Sequence, residues 1–176
     1  MMHFIERMKN MLNEKLIMKM VEFDKGDPKR IQHFTKVFEY AHMIGKLEGL
    51  EEKTQKVLDI AAILHDIGIC PSEEKYGRCD GKIQEKEGPF YARQMLEAFP
   101  EVKDEELDRV CYLIGHHHTY DEVDGKDYQI LLEADFIVNA YEDDLKSESI
   151  CHFRDRVFKT ETGIKLLNVM YDIENM

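Results

Sequence analysis

The sequence predicts an all-α protein, on three observations. Apolar residues recur at three- and four-residue spacing through the long segments. No stretch shows the strict alternation of a half-buried strand, and the segments are separated by helix punctuation, above all Asp27-Pro28, Gly49 and Pro100. A chain of 176 residues with 43% hydrophobic and 34% charged side chains has the size and composition of one globular domain with a substantial core, expected here over residues 1–176. No internal repeat or low-complexity tract interrupts it.

Residues 2–23 place Phe4, Ile5, Met8, Met11, Leu12, Leu16 and Met20 near helical spacing among Lys and Glu. This methionine-rich stripe reads as core packing rather than metal or cofactor ligation. Gly26 ends the segment. Asp27 as N-cap and Pro28 in the first turn open a helix to about Glu48, with Gly49 closing it and Phe34, Val37, Phe38, Ala41, Ile44 and Leu47 on its apolar face. Residues 51–66 form the next helix, rising through Val57, Leu58, Ala61 and Leu64. From Gly68 to Lys86 the periodicity lapses and Pro71, Gly77 and Gly81 intervene, which predicts a long loop of the functional kind.

Pro89 then starts a helix through Ala92, Met95 and Leu96, closed before Pro100. Asp104-Glu105-Glu106 puts acid at the next N-terminus, where the helix dipole favours it. Leu107, Val110, Cys111 and Ile114 carry its buried face towards His116-His117-His118. Residues 128–142 form another helix, in which Asp135 is spaced with Leu131, Leu132, Val138 and Asn139 and so faces inward. The stretch 149–175 is helical again, with Phe153, Val157, Phe158, Leu166, Leu167 and Met170 in the core. The central unit is thus expected over about 28–145, with the 2–23 helix and the C-terminal helices packed on it. The apolar N-terminal helix also suits an interface, so a homodimer is a second expectation for it.

The formal charge of −12 argues against a nucleic-acid polymer or an anionic membrane as partner. A small anionic substrate is compatible with it, because a bound cation inverts the local field. The longest apolar run, Ile60 to Leu64, is too short to cross a bilayer, and the N-terminal segment is too charged for a secretory signal. Four cysteines (Cys70, Cys79, Cys111, Cys151) show no CxxC spacing, and a helical chain of this size needs no disulfide. A cytoplasmic location is expected on these grounds.

The chemistry centres on Ile60-Ala-Ala-Ile-Leu-His-Asp-Ile-Gly-Ile69, an apolar run that ends in His65 and Asp66. Burying an imidazole beside a carboxylate is costly unless both are satisfied, and a divalent cation satisfies both. His33, the His116-His117-His118 run and Asp135 likewise lie on or beside apolar helix faces. Taken singly, each has a structural explanation: a boundary histidine, a solvated helix end, a carboxylate paired with a buried Arg. Taken together they form a mixed nitrogen and oxygen set suited to Mn²⁺, Fe²⁺, Mg²⁺, Co²⁺, Ni²⁺ or Zn²⁺, with coordination positions left for water.

The order His33, His65-Asp66, Asp135 on successive helices, with Ile-Gly after the pair and Glu133-Ala-Asp-Phe-Ile around the last carboxylate, resembles the HD-domain superfamily of metal-dependent phosphohydrolases. The resemblance covers about residues 28–145. It implies an all-α HD-domain bundle in which His33, His65, Asp66 and Asp135 bind one metal and orient water for attack on a phosphoester or phosphoanhydride. Asp66 is then the catalytic residue and the ligand that bridges to a second ion where there is one. Relatives with two metals add histidines between the pair and the last Asp. His116 and His117 fall in that interval, and Glu87 lies near the place of the other, where a carboxylate equally serves as a plain dipole partner for a helix N-terminus. His116 and His117 point about 100° apart on a helix, so one would bind metal and the other substrate phosphate, with His118 facing solvent.

The expected cofactor is therefore a divalent metal ion, one or two per chain, and the expected partner a small phosphorylated substrate, foremost a nucleotide. Lys75, Arg78 and Lys82 from the 68–86 stretch are the expected phosphate contacts, with Tyr76 able to stack on a base. Two other readings belong to the same fold. One is a di-iron oxygenase, marked by dependence on O₂; the other is a non-catalytic binding or regulatory module, marked by the absence of bound metal.

Overall fold

A computed structural model describes residues 11–174, and among these the regular structure is entirely helical. In chain order the helices are α1 (Leu12–Phe23), α2 (Pro28–Leu47), α3 (Glu52–Leu64), α4 (Ile69–Tyr76), α5 (Gly81–Leu96), α6 (Asp104–Ile114), α7 (Lys126–Glu142), α8 (Ser147–Val157) and α9 (Glu161–Tyr171). The centre is the mutual packing of α2, α3 and α7. Around it, α1 lies on α3, α6 on α3 and α5, α4 on α5, and α9 on α7 and α2. No described helix is long and apolar enough to cross a membrane.

Local sequence explains the central helices. The Asp27 carboxylate accepts the Arg30 N–H at 2.9 Å and Pro28 occupies the first turn, so α2 starts at the expected cap. Gly49 follows its last turn with φ +71°, the left-handed region that glycine enters without steric cost. In α3 an unbroken run from Val57 to Leu64 is buried, and in α7 thirteen residues are buried. These helices are therefore covered on nearly all sides, and the polar groups they carry inward must be satisfied by one another.

Three expectations change. The 68–86 stretch is largely helical: α4 runs through Pro71, a short break follows at Gly77, and Asp80 caps α5 by accepting the Ile83 N–H at 3.2 Å. Pro89 consequently sits inside α5 rather than at its start. Its ring costs that helix one hydrogen bond, a loss of about 3 kcal/mol in an isolated helix, and contact with α6 opposes the loss where Pro89 meets Gly115 and Gly88 meets Ile114. Leu47 and Met170, expected in the core, are 68% and 41% exposed because each helix turns that face outward at its end. Phe4, Ile5 and Met8 lie outside the described residues; of the rest of that stripe, Leu12, Leu16 and Met20 are buried as expected, while Met11, just ahead of the first turn of α1, is 41% exposed.

Among the buried carboxylates outside the expected set, Glu133 ties the C-terminal helices to the centre. Glu133 of α7 is fully enclosed and accepts from Gln129 Nε2 at 2.8 Å, from the N–H groups of Lys159 and Thr160, and from the Thr160 hydroxyl. It thereby joins the α8–α9 turn to the central helix. Burial nevertheless raises its pKa above the usual carboxylate value, against these hydrogen bonds.

The turn that carries His65-Asp66 depends on a close backbone approach. A Cβ at Gly68 would lie 2.8 Å from the Gly88 nitrogen and 2.9 Å from its Cα. Gly68→Ala is therefore expected to push α5 off the α3–α4 turn and destabilise the fold by roughly 1–3 kcal/mol, read as a lower urea midpoint. An unchanged midpoint would show that the two backbones separate freely.

Candidate metal centre

Three helices bring four side chains to one point. His33 comes from α2, His65 and Asp66 from the end of α3, and Asp135 from α7; all four are buried. His33 Nε2 lies 3.1 Å from His65 Nε2, 3.3 Å from Asp135 Oδ1 and 3.6 Å from Asp66 Oδ2. His65 Nε2 lies 3.5 Å from both Asp66 Oδ2 and Asp135 Oδ1. Asn139, one turn after Asp135, donates to its Oδ1 at 2.9 Å and steadies that carboxylate.

The outer ring nitrogens show what this point is suited to hold. His65 Nδ1 lies 2.9 Å from Ala62 O and His33 Nδ1 lies 3.0 Å from Glu142 Oε2. Both partners are acceptors only, so each Nδ1 carries the proton and each Nε2 turns its lone pair inward. Two lone pairs and two carboxylate oxygens facing one another repel unless protons or a cation stand between them. A divalent cation fits this donor set, being bound by imidazole nitrogen and carboxylate oxygen together.

Without an ion, protons fill that role. Burial disfavours the charged form of His33, but Asp135, Asp66 and Glu142 outweigh it and raise its pKa to about 9. His65 is raised in the same way, burial being overcome by Asp66 and Asp135. The carboxylates shift in the opposite direction. Asp66 and Asp135 are held well below the usual carboxylate range by the neighbouring histidines, against their burial.

A second group adjoins the first and shares Asp66. Its Oδ1 lies 3.1 Å from His117 Nε2, whose Nδ1 sits 2.7 Å from Ile114 O. Asp66, His117 and His118 bring ligand atoms close enough for an ion, just as His33, His65 and Asp66 do. The expected direction of the histidine run therefore changes. The chain leaves α6 at Ile114, which lets His117 and His118 reach the same side with ring centroids 4.1 Å apart. His118 is half-buried, with Nε2 against Gln84 Oε1, and burial followed by the charge on His117 pushes its pKa down to about 4. His116 turns away, stacking on Tyr112 with Nδ1 at 2.7 Å from Tyr112 O.

Glu87 is buried on α5 but is not brought to either group. Its carboxylate accepts from Tyr76 at 2.7 Å and Lys75 at 3.1 Å, joining α4 to α5. These partners hold its pKa below the usual value. Lys75 is thus engaged away from the histidines, Arg78 pairs with Asp80 at the surface, and Lys82 is exposed.

An open cleft of about 490 Å³ leads to the first group. His33, Asp66, Gln84, Asn139 and Glu142 line it, and its cations are Lys29 and Arg30 rather than those of the 68–86 stretch. Arg30 is held by Glu73 at 3.0 Å, Asp27 at 3.4 Å and the buried Asp24 at 3.6 Å. The sequence carried a usable signal for these residues. Arg30 stands three before His33, while Asn139 and Glu142 follow Asp135 by four and seven, so each shares a helix face with a ligand.

Comparison with known proteins agrees with this geometry. No curated protein and no solved structure matches the chain significantly. The family model described as HD domain matches residues 30–153, a span that contains all four converging residues and the adjoining histidines. HD domains bind divalent metals, and their superfamily consists mostly of metal-dependent hydrolases. The match spans most of the chain, from α2 through α7, and the chain belongs to the HD-domain family.

Proposed function

We propose that the protein hydrolyses a phosphoester or phosphoanhydride bond in a small phosphorylated substrate in the cytoplasm, nucleotides being the first class to test. The observation that carries this reading is the convergence of His33, His65, Asp66 and Asp135 at 3.1–3.6 Å, with His33 and Asp66 lining an open cleft. A divalent ion bound there supplies Lewis-acid polarisation of the phosphoryl oxygen and a water of lowered pKa.

The chain's own residues do the rest. His33 and His65 would hold the ion through Nε2, an orientation kept because each Nδ1 is tied to an acceptor. Asp66 would hold the ion with Oδ2, which faces His33, while its Oδ1 faces His117; this supports a role in orienting the attacking water or in sharing a second ion with His117 and His118. Arg30 and Lys29 receive the substrate phosphate. Arg30 presents a planar fork that matches a phosphate, and Glu73, half-exposed on α4, is the partner it exchanges. The cleft is also lined by Asp27, Asp66, Glu73, Glu142 and Asp143, so its field repels an anion until a cation is bound.

The purified protein with Mn²⁺ or Co²⁺ is expected to release phosphate from a nucleotide panel or cleave a generic phosphodiester, with and without O₂. Asp66→Ala should lose both the bound metal and the activity. Arg30→Ala should lower kcat/KM by roughly 10- to 100-fold, the worth of one charge-assisted contact. Full activity in Asp66→Ala would sink the assignment, and turnover only in O₂ would favour the oxygenase chemistry.

Metal affinity should also depend on pH. Because His33 keeps its proton up to about pH 9 in the ion-free site, an ion must displace that proton. Apparent affinity is expected to rise about tenfold per pH unit for each proton displaced, levelling off above the raised pKa. Calorimetry near neutral pH in two buffers of different ionisation enthalpy should detect proton release on binding. Affinity that is flat across neutral pH would show that His33 is already deprotonated or is not a ligand.

A further inference from the structure

The three buried imidazoles are oriented by different means. His65 ends α3 and His117 lies just past α6, where carbonyls of the last turn lack intrahelical donors. Ala62 O and Ile114 O are therefore free to accept their Nδ1–H groups, at 2.9 and 2.7 Å. His33 stands within the 20-residue α2, where the helix itself consumes the backbone carbonyls. Its Nδ1 must find an acceptor on another element, and it meets Oε2 of Glu142, the last residue of α7, at 3.0 Å.

The other oxygen of that carboxylate is also tied. Glu142 Oε1 accepts from Lys36 Nζ at 2.5 Å, and Lys36 lies one turn beyond His33 on α2. The Glu142 side chain is only 13% exposed, so the pair is well shielded while the Lys36 side chain, 40% exposed, closes it from outside. Along one face of α7, Asp135, Asn139 and Glu142 then act in sequence: a candidate ligand, the amide that steadies it, and the carboxylate that backs the opposing histidine.

We propose that Glu142, clamped by Lys36, is the positioning residue of the metal centre. It holds the His33 ring with Nδ1–H outward and Nε2 on the shared point, and its charge makes that nitrogen a stronger donor to a cation. His65 and His117 are backed by neutral carbonyls, so among the three His33 is the one whose donor strength is set by a side chain. The inference rests on the metal-centre reading but not on hydrolysis.

The test measures Zn²⁺ and Mn²⁺ affinity by competition with a chromophoric chelator in the wild type, Glu142→Gln, Lys36→Met and the double variant. Thermal denaturation of the ion-free proteins and ¹⁵N-histidine NMR of the Zn²⁺-loaded ones accompany it. Glu142→Gln is expected to weaken binding by roughly 10- to 100-fold and to move the His33 Nδ1–H resonance upfield, with the ion-free protein still folded. Lys36→Met should weaken binding less, and adding it to Glu142→Gln should change nothing further, because Lys36 acts through Glu142. If Glu142→Gln does not fold, the Lys36→Met affinity and its Nδ1–H shift decide the matter alone. Wild-type affinity with an unmoved Nδ1–H resonance in the folded variants overturns the inference and leaves the hydrolase reading intact. A protein that hydrolyses nothing but loses affinity on Glu142→Gln supports the inference and overturns that reading. A wild type that takes up no ion overturns both.

Discussion

The structure turns on a local conflict: acceptor groups from three helices are packed against one another inside the fold. His33, His65, Asp66 and Asp135 gather within 3.1–3.6 Å, in surroundings where unpaired charge is costly. Protons relieve the conflict in part, which is why the two histidines hold theirs so firmly. A divalent cation relieves it more fully, since it meets nitrogen and oxygen donors at once without requiring any of them to be protonated. The site is therefore a place where the helical core has traded packing for binding.

The surrounding architecture serves that trade. The candidate ligands His65 and Asp66 sit where α3 ends, so the free Ala62 carbonyl is at hand to orient His65. The turn there is pressed so closely against α5 that Gly68 and Gly88 leave no room for side chains. The candidate ligand His33 sits inside α2 and finds its acceptor on Glu142, which Lys36 holds. Two other buried carboxylates are met by donors: Glu133 by amide and hydroxyl groups, and Asp59 by Asn13, His42 and Gln55. What distinguishes the cluster at Asp66 from these is that its members face other acceptors, whereas Glu133 and Asp59 face donors.

Charge is arranged on a larger scale as well. The chain is strongly acidic, and the cleft shares that character, with Arg30 wrapped by Asp24, Asp27 and Glu73. Such a cleft is a poor receptor for anions until it holds a cation, which Arg30 and Lys29 would then flank. Under the proposed function, ion and anionic substrate would thus be coupled through the field of the cleft.

Much of this was legible in the chain. The helical periodicity of 28–47 and 51–66, the Asp27-Pro28 start and the ordered His33, His65-Asp66 and Asp135 are local features, because spacing, caps and apolar faces are written in neighbouring residues. What the sequence could not determine concerns contacts across helices. Pro89 reads as a helix start, yet it lies inside α5 because α6 supports it. Glu87 carries a good ligand side chain, but Tyr76 and Lys75 hold it elsewhere. His116 turns onto Tyr112 and His118 turns inward beside His117 because α6 stops at Ile114, and that stop sets which rings share a side. Local periodicity determined the helices and nominated the ligands; tertiary packing decided which of them meet, since meeting depends on how close two backbones approach and on which partner each polar group finds.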